Sequence, residues 1–346
     1  YIIPDGLASP RILKNYASID FDDSIKKFEK KGFIVSTHNY SSYNTTHLSL
    51  ASLFKMDYPV TEKSPIYKNK SQFYPAIRNK NSELLLYLKE NGYKFVIAPP
   101  LWGGCPPLRV AICLQPKTNS YIGIFFQDYA IASFLHNSLI KKILYKYKLF
   151  DDNKINDSIK TTLNKMKTNP KVWTEGGVFT MIHAMMPHTP YKEKDCSLKY
   201  SYKNRSVATS NRDENTKYMS QLLNYKSSVY CAFNRIHEIS EYISNNYPNA
   251  SIVVQSDHGI YITNYPNEIK FVELPRSFID ARLGIFTAVK GCNSEQAAKL
   301  NQANIVKYII ECIVSGKPSK QIQNKSYFGF YKDSPYFGKI FRVDQK

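Results

Sequence analysis

Three short segments, far apart in the chain, carry the residue types from which one metal-activated nucleophile could be built. They are Tyr1-Ile2-Ile3-Pro4-Asp5-Gly6, Asn44-Thr45-Thr46-His47-Leu48-Ser49 with the apolar run that follows, and Ile252-Val253-Val254-Gln255-Ser256-Asp257-His258-Gly259. A threonine hydroxyl is a weak nucleophile at neutral pH and needs a base, a cation or both. A divalent ion held by Asp5, Asp257 and His258 would stabilise the Thr46 alkoxide, and a helix starting at Thr46 would add partial positive charge. Both effects favour attack on a phosphoryl group. Mixed Asp and His ligation suits zinc or manganese better than magnesium. Each residue also has a plain structural use: an aspartate after a strand forms turns, and a threonine before a helix caps it. Asp257-His258-Gly259 is the sharpest of the three, because two adjacent ligand types at a strand end serve little structural purpose.

A fourth segment, Phe179 to Tyr191, runs an apolar stretch into a proline-flanked loop with two histidines, His183 and His188. Either could hold a second metal, contact a substrate phosphate or protonate a leaving oxygen. His183 sits inside the apolar run, where a packed core histidine is an equal reading. His188, between Pro187 and Pro190, is read as functional.

The elements that must position these residues alternate between strand and helix. The first segment reads as a buried strand ending at Asp5. Asp22 to Lys31 reads as an amphipathic helix, Phe33 to Val35 as a short strand, and Thr46 to Lys55 as a helix beginning at the threonines. Further helices are expected over Ser82 to Asn91, Lys154 to Lys167 and Ala303 to Val314, with one or two over Asn211 to Asn246. Strands are expected at Tyr93 to Ala98, Gly177 to Ala184, Ser251 to Gln255 and Leu283 to Val289, and a strand followed by a helix over Tyr121 to Leu135. The alternation predicts a single α/β domain over residues 1–316, with a mostly parallel central sheet and helices on both faces. Residues 317–346 form an aromatic, basic tail packed on the domain or extending from it. Strands of such sheets present ligand-binding residues at their carboxyl edge, where Asp5 and Asp257 fall.

Composition narrows the partners. The chain of 346 residues is 43% hydrophobic and 14% aromatic, which suits a folded core, and its formal net charge is +19. That charge fits an anionic partner, a lipid surface or a nucleic acid, but no zinc-finger, homeodomain or RNA-recognition signature accompanies the lysines, so nucleic acid is set aside. No stretch reaches the roughly 18 to 20 apolar residues of a membrane helix. The sequence starts without Met directly in a strand, as a fragment would, and leaves open whether a signal peptide or a membrane anchor precedes residue 1. The six cysteines lack CxxC spacing, which argues against structural zinc and permits disulfides in an oxidising compartment. Cys105 with Cys113, across a Pro-Pro turn, is the first expected pair.

The segments taken together, from the aspartate-ended first strand through Tyr43-Asn44-Thr45-Thr46-His47-Leu48-Ser49-Leu50-Ala51-Ser52 and His183-Ala184-Met185-Met186-Pro187-His188-Thr189-Pro190-Tyr191 to Ser256-Asp257-His258-Gly259, resemble the sulfatase-like branch of the alkaline phosphatase superfamily. The likeness spans about residues 1–290. Within that branch the chain is most similar to bacterial membrane-anchored enzymes such as lipoteichoic acid synthases and phosphoethanolamine transferases. The resemblance implies an alkaline phosphatase-like fold, Thr46 as nucleophile, Asp5, Thr46, Asp257 and His258 around one metal, and His188 as a substrate or second-metal residue. It also implies a catalytic domain on the periplasmic or outer face of a bacterial inner membrane, tethered by membrane helices.

Two departures shape the expected activity. Formylglycine sulfatases carry Cys/Ser-x-Pro-x-Arg at the nucleophile, and Thr46-His47-Leu48-Ser49-Leu50 has Thr in place of the Cys or Ser and neither the Pro nor the Arg, so sulfate ester hydrolysis is not expected. The Asp-x-x-x-His ligands of two-metal relatives have no copy here, which leaves a second metal open. The leading reading is transfer of a phosphoglycerol or phosphoethanolamine head group from a phospholipid donor to a glycan or lipid acceptor through a phosphothreonine. A phosphodiesterase or phosphomonoesterase with the same nucleophile is one alternative. A non-catalytic binder of anionic envelope polymer is the other.

Overall fold

A computed structural model describes residues 1–65, 82–98, 111–114, 157–189, 191–197, 214–260, 273–316, 324–329 and 339–344, the helix opening at 214 being described at side-chain level from 219. The elements, in chain order, are β1 (Ile2–Pro4), α1 (Pro10–Asn15), α2 (Asp22–Lys30), β2 (Ile34–Tyr40), α3 (Thr46–Lys55), α4 (Glu83–Glu90), β3 (Tyr93–Ala98) and β4 (Ala111–Cys113). They continue with α5 (Ser158–Thr168), α6 (Lys171–Thr174), β5 (Gly177–Ala184), α7 (Glu214–Asn246), β6 (Ile252–Gln255), α8 (Arg276–Leu283) and β7 (Gly284–Lys290). The chain closes with α9 (Ser294–Ala297), α10 (Gln302–Ser315), β8 (Ser326–Gly329) and β9 (Ile340–Val343).

Seven strands form one sheet in the order β2-β7-β6-β1-β5-β3-β4. β1 pairs in parallel with β5 and β6, and β3 in parallel with β4 and β5. β7 runs against both of its neighbours, β6 and β2, and is the reversed strand of an otherwise parallel sheet.

Side chains alternate across the sheet into two apolar layers. Ile2, Val96, Ile182 and Val254 point to one layer, which also takes Ile12, Phe28, Ile159 and Phe233 from α1, α2, α5 and α7. Ile3, Phe95, Met181 and Val253 point to the other, with Leu50, Leu85 and Ile309 from α3, α4 and α10. Helices thus cover both faces, as runs of Ile and Val buried on both sides require. The fold class read from the sequence is the fold observed.

Three local expectations change. β2 is longer than Phe33–Val35 and reaches Tyr40, through Ser36, Thr37, His38 and Asn39, whose polar character hid the strand, with an irregular register between Ser36 and Asn39. Of the one or two helices expected over Asn211 to Asn246, one is observed, Glu214–Asn246. The C-terminal residues supply a hairpin, β8 with β9, in which Tyr327 stacks on Tyr43 and the Ser326 hydroxyl donates to the Ser41 carbonyl. The strand and helix expected over Tyr121 to Leu135 lie outside the described residues. Among the described residues no helix is long and apolar enough to cross a membrane.

Candidate metal centre and nucleophile

β1, β5 and β6 lie side by side, and their carboxyl ends carry Asp5, His183 and Asp257. The ladder continues past β1 as the Asp5 N–H donates to the Ala184 carbonyl at 2.8 Å, and Ile3 is in register with His183. Adjacent parallel strands that end level bring residues from three distant segments to one place. One ligand atom from each of Asp5, His183 and Asp257 lies within 4.8 Å of the others, and all three residues are buried. His258 Nε2 stands 3.5 Å from Asp5 Oδ1 and 3.5 Å from Asp257 Oδ2.

The turn behind these ligands is held by hydrogen bonds on its far side. Asp257 Oδ1 accepts the Gly6 N–H at 3.0 Å, and the Ser256 hydroxyl accepts the Leu7 N–H and donates to the Pro4 or the His258 carbonyl. The Tyr225 hydroxyl donates to the Gly6 carbonyl at 2.9 Å. Gly6 takes φ +74°, a conformation that favours glycine, with His258 beside it. Gly259 is required for a different reason: a Cβ there would collide with the carbonyl oxygen of Ala281.

These contacts leave specific atoms turned inward. His258 Nδ1 lies 2.8 Å from the Gly259 carbonyl oxygen and donates to it, which turns Nε2 toward the two carboxylates. Asp5 Oδ1 and Asp257 Oδ2 are buried without a hydrogen bond. Two buried carboxylate oxygens without a hydrogen bond, set side by side away from water, are an unfavourable arrangement until a cation sits among them. The donor set therefore fits a divalent ion of the zinc or manganese type.

His183 Nε2 lies 3.2 Å from Asp5 Oδ2. Protonated there, it orients Asp5; deprotonated, it offers a further ligand. Burial pushes the Asp5 carboxyl up, but the hydrogen bond from His183 and the charges of His188, His258 and His183 outweigh it and hold the group down to about 2. Asp5 is thus ionised across the neutral range.

Thr46 is placed separately. It is the first residue of α3, half-buried, after an extended Thr45 whose side chain makes no capping bond. The first N–H groups of α3 are left without intrahelical acceptors beside that hydroxyl. The Thr45 hydroxyl is likewise buried without a hydrogen bond. His188 stands half-buried at the rim, its N–H donating to the Asp5 carbonyl at 3.1 Å and its ring 6.5 Å from that of His258.

The sequence reading had named Asp5, Thr46, His183, His188, Asp257 and His258. The structure joins four of them directly and sets His188 at the edge. It had not named Ser256, Gly6 or Tyr225, whose roles depend on where a buried hydroxyl or N–H lands. Of the cysteines, Cys196 pairs with Cys231 and Cys292 with Cys312. Cys113 is disulfide-bonded, and Cys105 lies outside the described residues. A cavity of about 140 Å³ bounded by Tyr1, Trp173 and Tyr247 opens at the amino-terminal edge of the sheet, opposite the ligand cluster.

No family model matches the chain, and no curated protein matches it. Solved structures do. The phosphonate monoester hydrolase SpPMH from Silicibacter pomeroyi aligns with TM-score 0.57 at 11% identity, over 94% of this chain and 78% of that one. The C-terminal periplasmic domain of EcEptC from Escherichia coli aligns with TM-score 0.52 at 12% identity, over 98% of this chain and 94% of that one, and has also been solved in complex with Zn. The soluble domain of lipooligosaccharide phosphoethanolamine transferase A from Neisseria meningitidis aligns with TM-score 0.50 at 12% identity, over 89% and 85%. At such identities the likeness establishes the fold alone.

Proposed function

We propose that this alkaline phosphatase-like fold houses a metal-dependent phosphoryl-group transferase with Thr46 as its nucleophile. The observation that carries the reading is the convergence of Asp5, His183, Asp257 and His258 at the carboxyl edge, with two buried carboxylate oxygens left unbonded. Asp5, Asp257 and His258 would hold one zinc or manganese ion, with His183 as a further ligand or as the group that orients Asp5. When bound, that ion supplies positive charge to the phosphoryl oxygens and the threonine alkoxide.

The chain's own residues do the rest. The Thr46 hydroxyl gives up its proton to solvent as its oxygen forms a bond to phosphorus, the bond from phosphorus to the donor's alcohol breaks, and the departing oxygen takes a proton, for which His188 at the rim is the donor. The phosphothreonine ester is then attacked by an acceptor hydroxyl. The Thr46–phosphorus bond breaks and the threonine hydroxyl recovers its proton. The N–H groups of the first turn of α3 face the developing negative charge.

The donor we propose is a phospholipid bearing a phosphoethanolamine or phosphoglycerol head group, and the acceptor a glycan or lipid. A net charge of +19 suits work at an anionic lipid surface. Disulfides at Cys196–Cys231 and Cys292–Cys312 suit the periplasmic or outer face of the membrane. The likeness to a phosphoethanolamine transferase domain and to a periplasmic domain solved with Zn supports the same reading. A second reading, hydrolysis with water as acceptor, is supported by the likeness to a phosphonate monoester hydrolase.

The test is head-group release from labelled phosphatidylethanolamine and phosphatidylglycerol vesicles, with zinc or manganese, by the unmutated protein and by Thr46→Ala. Release that needs both the metal and Thr46 supports an enzyme of this class. Retention of the product on an added glycan or lipid separates transfer from hydrolysis. Equal background release by both proteins contradicts the proposal.

A further inference from the structure

Gln302 opens α10, is 2% exposed, and carries no charge or nucleophile. Its amide is nevertheless fully used, and each half serves a different segment. Oε1 accepts the Ser42 N–H at 2.7 Å. Nε2 donates to the Ser256 carbonyl at 2.6 Å and, at 3.4 Å, to that of Asp257. The reverse orientation would set oxygen against two carbonyls and NH2 against an N–H, so the assignment is unambiguous. The same junction is braced by the Ala303 N–H, which donates to the Ser42 hydroxyl at 3.2 Å.

The two segments so joined carry the two halves of the proposed chemistry. Ser42 leads into Thr46 through a stretch that is itself rigid. The Ser41 N–H donates to the Leu283 carbonyl, and Asn44 exchanges two hydrogen bonds with Gly329. Ser256 and Asp257 form the strand end that supplies a ligand. A buried amide satisfied on both sides resists displacement, because moving either segment leaves a buried polar group unpaired.

We propose that Gln302 is a positioning residue that locks the Thr46-bearing segment to the Asp257 turn, so that metal occupancy is transmitted to the placement of the nucleophile. It touches neither substrate nor metal. The identity of the reacting groups rests on the function proposed above; the coupling itself is a property of the two backbone segments.

Hydrogen exchange of the amides of residues 42–48 tests this in the metal-free and zinc-loaded protein, for the unmutated chain, Gln302→Met and Gln302→Glu. Met keeps length without the amide, and Glu keeps the acceptor for Ser42 while losing the donor to Ser256. Zinc is expected to slow exchange of these amides in the unmutated protein, within the roughly 5- to 150-fold span of ordinary coupling between sites. In whichever variant folds, that slowing is expected to vanish while zinc affinity stays close to the original, and the thermal midpoint falls by a few degrees as the freed backbone groups lose their partner. Turnover should then fall roughly 100-fold with KM little changed, as a misplacement of about 1 Å would give. Equal slowing in a variant, or none in the unmutated protein, overturns the coupling. Loss of thermal midpoint with unchanged turnover reduces Gln302 to a structural residue and overturns it as well. Zinc-induced slowing without any turnover contradicts the proposed function and leaves the coupling supported.

Discussion

Asp5 and His183 meet at 3.2 Å, Oδ2 to Nε2, although they are 178 residues apart and each is almost wholly buried. Parallel pairing of β1 with β5 places them together, and the contact does two things. It holds Asp5 ionised in a buried site, and it turns the other carboxylate oxygen, Oδ1, toward His258.

Removing charge from this cluster should stabilise the empty protein. Asp257→Asn keeps the oxygen that accepts the Gly6 N–H and removes a buried charge whose Oδ2 has no hydrogen bond. The thermal midpoint of the metal-free variant is expected to rise by about 2 °C. Zinc at a hundredfold excess over its Kd should stabilise the unmutated protein by roughly 2.7 kcal/mol and the variant by much less. Paired melting curves with and without zinc check both signs.

Gly259 carries the turn that aims His258. Gly259→Ala would drive a Cβ into the Ala281 carbonyl and to within 2.8 Å of the Gly284 oxygen, which are backbone atoms that cannot swing aside. The expected result is a loss of about 2 to 3 kcal/mol of stability and a drop in zinc affinity of roughly 10- to 100-fold, as when support for a ligand is lost. Isothermal titration and denaturant melts report the two effects.

Much of this site was legible in the sequence because each part carries its own local signal. Continuous Ile and Val runs announced β1 and β6, and the acidic residues at their ends marked the carboxyl edge. Thr46 began α3 as expected, since the apolar spacing that follows it is helical. His183 was ambiguous for a physical reason. A histidine flanked by Ile182 and Ala184 has the same surroundings in sequence whether it packs in a core or closes a ligand cluster, and strand register decides between them. Gln302 gave no signal at all, and Ser256 none beyond its place beside Asp257, because their importance lies in which backbone groups they reach. The β8–β9 hairpin was hidden in a tail rich in Lys and Tyr, and cysteine pairing is not encoded in spacing.

Stability should fall in mild acid through a group far from the site. His237 packs between Phe28 and Phe233. Burial, with the charges of Lys31 and Lys27, lowers its pKa to about 4. The folded protein therefore prefers neutral His237 while the unfolded chain titrates near the ordinary value of 6.5. Its contribution is intact above about pH 6.5 and is lost as pH falls toward 4. His237→Phe should flatten the decline in thermal midpoint across that window, and an unchanged slope would rule His237 out as its source.

The disulfides should be measurable supports. Cys196–Cys231 closes 35 residues and ties the segment after His188 to α7, while Cys292–Cys312 closes 20 and ties β7's exit to α10. Loop closure predicts a loss of about 3 to 4 kcal/mol for each on reduction. Denaturant melts of Cys196→Ser/Cys231→Ser and Cys292→Ser/Cys312→Ser, beside the oxidised protein, check these values.

The central claim is that Thr46 becomes covalently phosphorylated by a lipid head group. Its most direct test is the intact mass of the protein after brief incubation with phosphatidylethanolamine and phosphatidylglycerol vesicles and zinc or manganese, quenched in acid, beside that of Thr46→Ala. The account predicts a mass gain equal to one transferred head group on the unmutated chain, located at Thr46 by fragmentation and absent from the variant. A gain of the same size on Thr46→Ala, or head-group turnover with no adduct at Thr46 under any quench, would contradict it.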